Sequence, residues 1–375
     1  MTPVTIDSIR AAHARIKDTI YRSPCTYSLA LSRLCDAEIF CKLDHLQMTG
    51  SFKERGARNK LLQLSAEQQC RGVIAASAGN HALALAYHGS LLSVPVTVVM
   101  PKWAPLVKVA NCRSLGANVI LFGDSYDEAK HQATALGEER GLTIVSGFDD
   151  PDIIAGQGTL ALEVLQDVPD ADAIIVPVGG GGLIAGVAVA VKALRPATRI
   201  IGVEPTNAPT LHESLKRGEA TKVPTRPTLA DGLAVAQMGE LCFELIRPAL
   251  DDLVMVDEPQ IAQAMLRLLE LEKMVVEGAG AVTLAAAQIR KSDLAGKKVV
   301  LCLTGGNVDV TMISKVIDRG LAADGRLCRI TAFAGDRPGS LAHLTRVLAD
   351  TGANVLEVAH DRHFSPADVL VVGIT

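Results

Sequence analysis

Four consecutive glycines, Gly179-Gly180-Gly181-Gly182, follow the apolar run ADAIIVPV and precede LIAGVAVAVKAL. Without Cβ atoms, several backbone N–H groups can converge on one anion, and a helix starting near Leu183 would add the positive end of its dipole. A tight turn alone needs only one glycine, so four in a row favour a phosphate as the occupant. A second cluster is Thr49-Gly50-Ser51-Phe52-Lys53-Glu54-Arg55-Gly56. Ser51 and Glu54 stand at capping-box spacing, so Ser51 is expected to cap a helix that carries Lys53 in its first turn. There the dipole disfavours the ammonium by roughly several tenths of a kcal/mol, which tilts Lys53 toward the neutral amine that attacks carbonyls. Taken by itself Lys53 would be an ordinary solvated lysine; its neighbours make it a nucleophile.

Ser77-Ala78-Gly79-Asn80-His81 comes directly after VIAAS and opens another helix. Its hydroxyl, amide and helix-start N–H groups suit a carboxylate, while a plain Ser or Asn cap explains the same pattern. His81 alone reads as a hydrogen-bonded helix residue rather than a catalyst. Thr304-Gly305-Gly306-Asn307 follows KKVVLCL and places a hydroxyl at a further strand end. A rival reading is also open: Gly180 to Ala185 fits G-x-G-x-x-A, with Glu204 about twenty residues on, the outline of a dinucleotide site in an NAD-binding oxidoreductase.

The elements that must position these turns are short β-branched runs alternating with helical stretches. EIFCKLD precedes a helix over 52–64, RGVIAAS one over 80–88, VPVTVVMP one over 106–115, and ANVILFG one over 126–141, before LTIVSG. ADAIIVPV, TRIIGVEP and KKVVLCLTGG resume the rhythm, with helices over 183–194 and 310–320. Runs that are apolar throughout, rather than alternating, predict an α/β fold with parallel sheets covered by helices on both faces. EATKVPTRPTLAD (219–231) reads as a surface connection, and LAADGR as a linker. Beyond it RITAFAG, SLAHLTRVLADTGA, NVLEVAHDR and VLVVGIT read as strand, helix, strand, strand, a small α+β module over 327–375. A βαββαβ unit ending at Thr375 would lack its last helix and strand.

With 49% hydrophobic and 21% charged residues among 375, the chain can bury a large core, and at 3% aromatic that core must be Ala, Val, Ile and Leu. Its 37 basic and 41 acidic side chains leave a net charge of -4, which argues against nucleic acid as a partner. No uncharged run approaches a membrane span and the first residues carry charges where a signal peptide needs an apolar stretch, so a cytoplasmic protein is expected. The eight cysteines contain no CxxC pair and read as reduced thiols.

TGSFKERGA, SAGNHA, GGGGLIAG and LTGGN, with AGQGT at 155–159, LADGLAV at 229–235 and EGAGA at 277–281, resemble in order and spacing the threonine/serine ammonia-lyases. These are pyridoxal-phosphate enzymes of the tryptophan-synthase β fold. The resemblance runs from about residue 5 to 320, and residues 327–375 are similar to a truncated ACT regulatory module. It implies two open, mostly parallel sheets in a catalytic region over 1–320, the smaller subdomain roughly over 45–150. Lys53 would be the Schiff-base lysine that later shuttles the Cα proton. Phe52, Asn80, Gly179, Gly180, Gly181, Gly182, Leu183 and Thr304 would bind the cofactor, with Asn80 near its phenolic oxygen and Thr304 at its pyridine nitrogen. A hydroxyl there cannot hold that nitrogen protonated as an Asp would, which suits β-elimination over transamination. Ser51, Ser77, Ala78, Gly79, Asn80 and His81 would receive the amino-acid substrate.

Glu204, Ala208 and Thr210 line up with a cation site in relatives, where one carboxylate makes a thin cage for magnesium or calcium and favours a monovalent ion. The implied activity is deamination of L-threonine, and more weakly L-serine, by β-elimination; serine racemase and hydroxyaspartate ammonia-lyase are alternatives on the same fold. Serine racemases carry a serine where Ala78 stands, and Ala78 offers no second proton donor. A homo-oligomer is expected, with an amino-acid effector at the tail. A catalytically silent amino-acid sensor is a further alternative.

Overall fold

In the strands Ala173–Pro177, Arg199–Pro205 and Lys298–Cys302, odd and even positions are both apolar, and the computed structural model shows why. Ile175, Ile201, Val203 and Leu301 face one core; Ile174, Val176, Ile200, Val300 and Cys302 face another on the opposite side of the same sheet. The structure describes residues 4–361 and 371–374. Six strands run in the order Cys25–Tyr27, Glu38–Lys42, Lys298–Cys302, Ala173–Pro177, Arg199–Pro205, Asp252–Val256, all parallel except the antiparallel edge Cys25–Tyr27. A second sheet of four parallel strands has the order Asn118–Leu121, Val96–Met100, Val73–Ala76, Thr143–Ile144.

One helix, Pro151–Asp167, ties the two chemically marked helices together, and this gives the AGQGT motif a physical reason. Gly156 lies so close to the helix Lys53–Leu62 that a Cβ there would come within 2.6 Å of the Gly56 Cα. Gly158 meets Gly186 of the helix Gly182–Leu194 in the same way: a Cβ on Gly158 would sit 2.8 Å from the Gly186 carbonyl oxygen. Backbone-to-backbone contact on both sides fixes the lysine helix and the glycine-loop helix against a common strut.

The chain divides into two compact units, up to Ile317 and from Asp318 on. In the second unit Ala332–Gly335, Val371–Ile374 and His360–Asp361 form an antiparallel sheet in that order, with a helix Ser340–Asp350. The strand expected over NVLEVAHDR is thus reduced to its last described pair. Among the described residues Val355, Leu356 and Val358 are exposed, so this apolar run lacks the burial that holds a strand. Arg362 of that segment, with residues 369, 370 and 375 of VLVVGIT, lies outside the described residues. Among the described residues no helix is long and apolar enough to cross a membrane.

Candidate active site

The marked turns converge on one cleft of about 470 Å³ in the first unit. Phe52, Lys53, Ser77, Ala78, Gly79, Asn80, His81, the four glycines, Leu183 and Thr304 all line it. Ser51 does not: it is fully buried, and its hydroxyl finds no partner among the described residues. The capping box expected from Ser51 and Glu54 does not form. The helix Lys53–Leu62 is preceded by Phe52 without a side-chain cap. Glu54 instead accepts from the Thr49 N–H and lies 3.2 Å from His88 Nε2. A buried carboxylate with a histidine in reach is better satisfied there than at the Ser51 amide.

Lys53 Nζ donates to the Gly147 carbonyl at 2.7 Å and sits 5.2 Å from the centre of the Phe52 ring. Its pKa is lowered to about 8, and the first cause is removal from water. Two residues on, Arg55 is held by buried ion pairs to Asp44 at 2.7 Å and Glu163 at 2.7 Å, and Glu163 also takes Lys42. Two cations and two carboxylates buried together cancel each other's charge and anchor the helix end that presents Lys53. A pKa near 8 leaves about a tenth of the amine neutral at pH 7 and about nine tenths at pH 9. Capture of pyridoxal phosphate by the ligand-free protein, followed as absorbance growth in stopped flow, is expected to speed up about tenfold between these pH values and then level off. A rate still climbing above pH 10 would mean an ordinary lysine.

The glycine turn is built against protein on its outer side. A Cβ at Gly180 would lie 2.3 Å from the Phe148 ring, and one at Gly182 2.9 Å from the Phe148 backbone. Gly181 has φ +96°, which an L side chain rarely adopts. Among the described residues no carbonyl accepts from the N–H groups of Gly179, Gly180 or Gly181. Gly182 and Leu183 open a helix whose first-turn N–H groups also lack helical partners. The result is a ready anion cradle at a helix start.

In the same cleft, Asn80 Nδ2 donates to Glu277 Oε1 at 2.8 Å, and Asn307 Nδ2 donates to Asn80 Oδ1 at 2.8 Å. Burial, with Asp231 nearby, pushes the Glu277 carboxyl up to about 7. His81 Nε2 lies 3.3 Å from the Val145 carbonyl, which can only accept, so Nε2 carries the proton. Burial and the nearby Lys53 hold its pKa near 3, and it stays neutral. Ser77 Oγ accepts from the Gly79 N–H at 3.3 Å. Thr304 is almost wholly buried, its carbonyl accepting from the Phe52 N–H.

Glu204 is placed elsewhere. Its two oxygens accept from the N–H groups of Leu211 at 2.6 Å and His212 at 2.9 Å, closing the start of the helix Thr210–Arg217. Thr210 Oγ1 donates to the Val235 carbonyl, and Ala208 is buried. Among the described residues no group of three His, Cys, Asp or Glu could hold a metal. Glu277, Asn307, Gly147 and Phe148 are site residues that the sequence reading gave no role. Glu277 and Asn307 stood inside the EGAGA and TGGN motifs, the only signal available; Gly147 and Phe148 followed a strand with none.

A family model described as pyridoxal-phosphate dependent enzyme matches residues 16–305. The chain belongs to that family. Within it, the L-threonine ammonia-lyase of Thermotoga maritima is 48% identical over 359 residues, covering 96% of this chain and 89% of the relative. Threonine deaminase isoform 2 of Solanum lycopersicum superposes with a TM-score of 0.80 at 37% identity, over 84% of this chain and 86% of that one. Maize serine racemase gives 0.80 at 36%, over 86% and 99%. The two parallel sheets under helices are the tryptophan-synthase β-like fold of pyridoxal-phosphate enzymes. The cleft suits the family's cofactor: an amine of depressed pKa for its aldehyde, an N–H cradle for its phosphate, amide and hydroxyl groups for its ring. The dinucleotide reading falls with this result, since Glu204 is occupied by backbone N–H groups and does not line the cleft.

Proposed function

We propose that this chain converts L-threonine to 2-oxobutanoate and ammonia, and L-serine less efficiently to pyruvate and ammonia, by β-elimination. The observation that carries the reading is Lys53, an amine with a pKa near 8 in the same cleft as the unpartnered N–H groups of the glycine turn. The 48% identical relative named L-threonine ammonia-lyase supports the choice of substrate. When bound, pyridoxal phosphate supplies the electron sink that makes the substrate Cα–H acidic.

The chain's own residues do the rest. With pyridoxal phosphate bound, the N–H groups of Gly179, Gly180, Gly181, Gly182 and Leu183 would hold its phosphate, Phe52 would contact its ring, Asn80 would meet its phenolic oxygen and Thr304 its pyridine nitrogen. Ser77, Ala78, Gly79, Asn80 and His81 form the wall for the substrate carboxylate. Lys53 Nζ would take the Cα proton, the β-hydroxyl would leave as water with that proton, and the released enamine would hydrolyse to the oxo acid and ammonia. Neutral His81 adds no charge to this wall, so N–H groups rather than an imidazolium would receive the carboxylate. The reading extends to a catalytic region over residues 1–320, a cytoplasmic homo-oligomer, and a tail over 327–375 that binds an amino-acid effector.

Steady-state kcat/KM for L-threonine, L-serine and 3-hydroxyaspartate tests the substrate. Threonine is expected to lead; a preference for 3-hydroxyaspartate would refute the assignment. The likeness to maize serine racemase motivates a second test. Lys53 Nζ would serve one face of the substrate Cα, and Ala78 has no proton to deliver to the other. Ala78→Ser adds a hydroxyl there, and a placed proton donor is typically worth ~10²–10⁴-fold. Chiral analysis of serine recovered after incubation with L-serine should show D-serine from the variant and none from the parent. Equal D-serine from both would defeat the one-face argument.

A further inference from the structure

The hydrogen bonds around Asn80 run in one direction only. Asn307 Nδ2 is 2.7 Å from the Thr49 carbonyl and 2.8 Å from the Asn80 side chain. A carbonyl can only accept, so the Asn307 group between them must be the NH2, and both of its hydrogens are engaged. The Asn80 atom facing it therefore has to be Oδ1. This turns Asn80 Nδ2 the other way, onto Glu277 Oε1 at 2.8 Å. One N–H of Asn80 is left over, on a side chain that lines the cleft.

The frame behind this chain of bonds is stiff. Gly50, with φ +76°, packs so closely on the Asn307 amide that a Cβ would lie 2.6 Å from Oδ1. Gly306 N–H donates to the Gly50 carbonyl, and Glu277 N–H to the Gly305 carbonyl, each at 2.9 Å. The Glu277 carboxylate in turn accepts from the Asn307 backbone N–H. Asn307 thus lies in the turn that also carries Thr304, and Glu277, at the start of the helix Gly278–Ile289, is hydrogen-bonded to that turn.

We propose that Asn307 and Glu277 are positioning residues: they lock the Asn80 amide with its nitrogen toward the ring of bound pyridoxal phosphate, Asn307 deciding which way round the amide stands. This rests on the cofactor placement under Proposed function. An N–H aimed at the phenolic oxygen stabilises its deprotonated form, whereas a carbonyl aimed there favours the protonated form. Asn307→Asp removes the donor, so Asn80 turns its NH2 to the new carboxylate and its oxygen elsewhere.

The test is the absorption spectrum and cofactor affinity of four holoproteins: parent, Asn307→Asp, Asn80→Ala and the double variant. Asn307→Asp is expected to move absorbance from the visible band to the near-ultraviolet band and to raise the Kd for pyridoxal phosphate about tenfold. In the Asn80→Ala background the same substitution should change either quantity less than twofold, because it acts through Asn80. Asn307→Ala, which adds no charge, makes the same comparison if the first variant does not fold. A parent-like spectrum and affinity in the single variant would overturn the proposal, as would an undiminished shift in the double variant. A parent with no visible band would instead refute the cofactor placement itself.

Discussion

Lys53→Ala is expected to lower threonine turnover by at least about 10³-fold and to remove the visible absorbance of lysine-bound pyridoxal phosphate, while the protein keeps its fold. The substitution acts at the first residue of a helix, where alanine is well tolerated, and it breaks a single hydrogen bond, from Nζ to the Gly147 carbonyl. The sign of the electrostatic effect favours the variant. A lysine whose folded pKa is about 8 binds its proton less readily in the folded chain than at the usual 10.5. Its charge therefore opposes folding most fully below pH 8, and the opposition fades as the pH rises toward 10.5. The ligand-free variant should accordingly melt within a few degrees of the parent at pH 7. Near-parental turnover would remove Lys53 from the chemistry; a collapse of melting temperature would show that its role is in the fold.

The second large effect concerns the phosphate cradle. Gly181→Asp should raise the Kd for pyridoxal phosphate at least about 100-fold. The sequence alone suggests that a side chain here would project at the phosphate, but the structure assigns a different route. A Cβ on Gly181 would meet the Cys242 Cβ at 2.7 Å and Ile246 Cδ1 at 3.1 Å, on the helix Glu240–Ile246. The new carboxylate would be forced between that helix and the turn, in a backbone conformation that costs an L residue roughly 1–2 kcal/mol. The turn must shift to relieve the clash, and its N–H groups leave their common focus. Gly181→Ala keeps the crowding and strain but adds no charge, so its loss of affinity should be smaller. Titration of both ligand-free variants by fluorescence is the measurement, and unchanged affinity would mean that the turn is only structural.

Much of this site was legible in the chain because local rules decide it. A glycine run after a buried strand and ahead of an apolar helix has few other structures open to it, and the helix begins at Gly182, one residue before the expected Leu183. The lysine helix and the helix Asn80–Leu92 start as their flanking turns indicate. Tertiary contacts decide the remainder. Asn80 lies 197 residues from Glu277 and 227 from Asn307, and no spacing rule links such positions. Glu54 carried the right offset for a capping box yet serves Thr49 and His88, because burial sets a stronger demand than a cap. The helix start offers one reason for Lys53 to lose its proton; removal from water, which no local spacing shows, is the first cause in the fold. Glu204, legible as a ribose partner, closes a helix start instead, and burial pushes its carboxyl up to about 8.

The most direct measurement of the central claim is borohydride reduction of the holoprotein followed by peptide mass mapping. A single phosphopyridoxyl group is expected on the peptide that contains Lys53. A modified peptide lacking Lys53, or no stable modification at all, would contradict it.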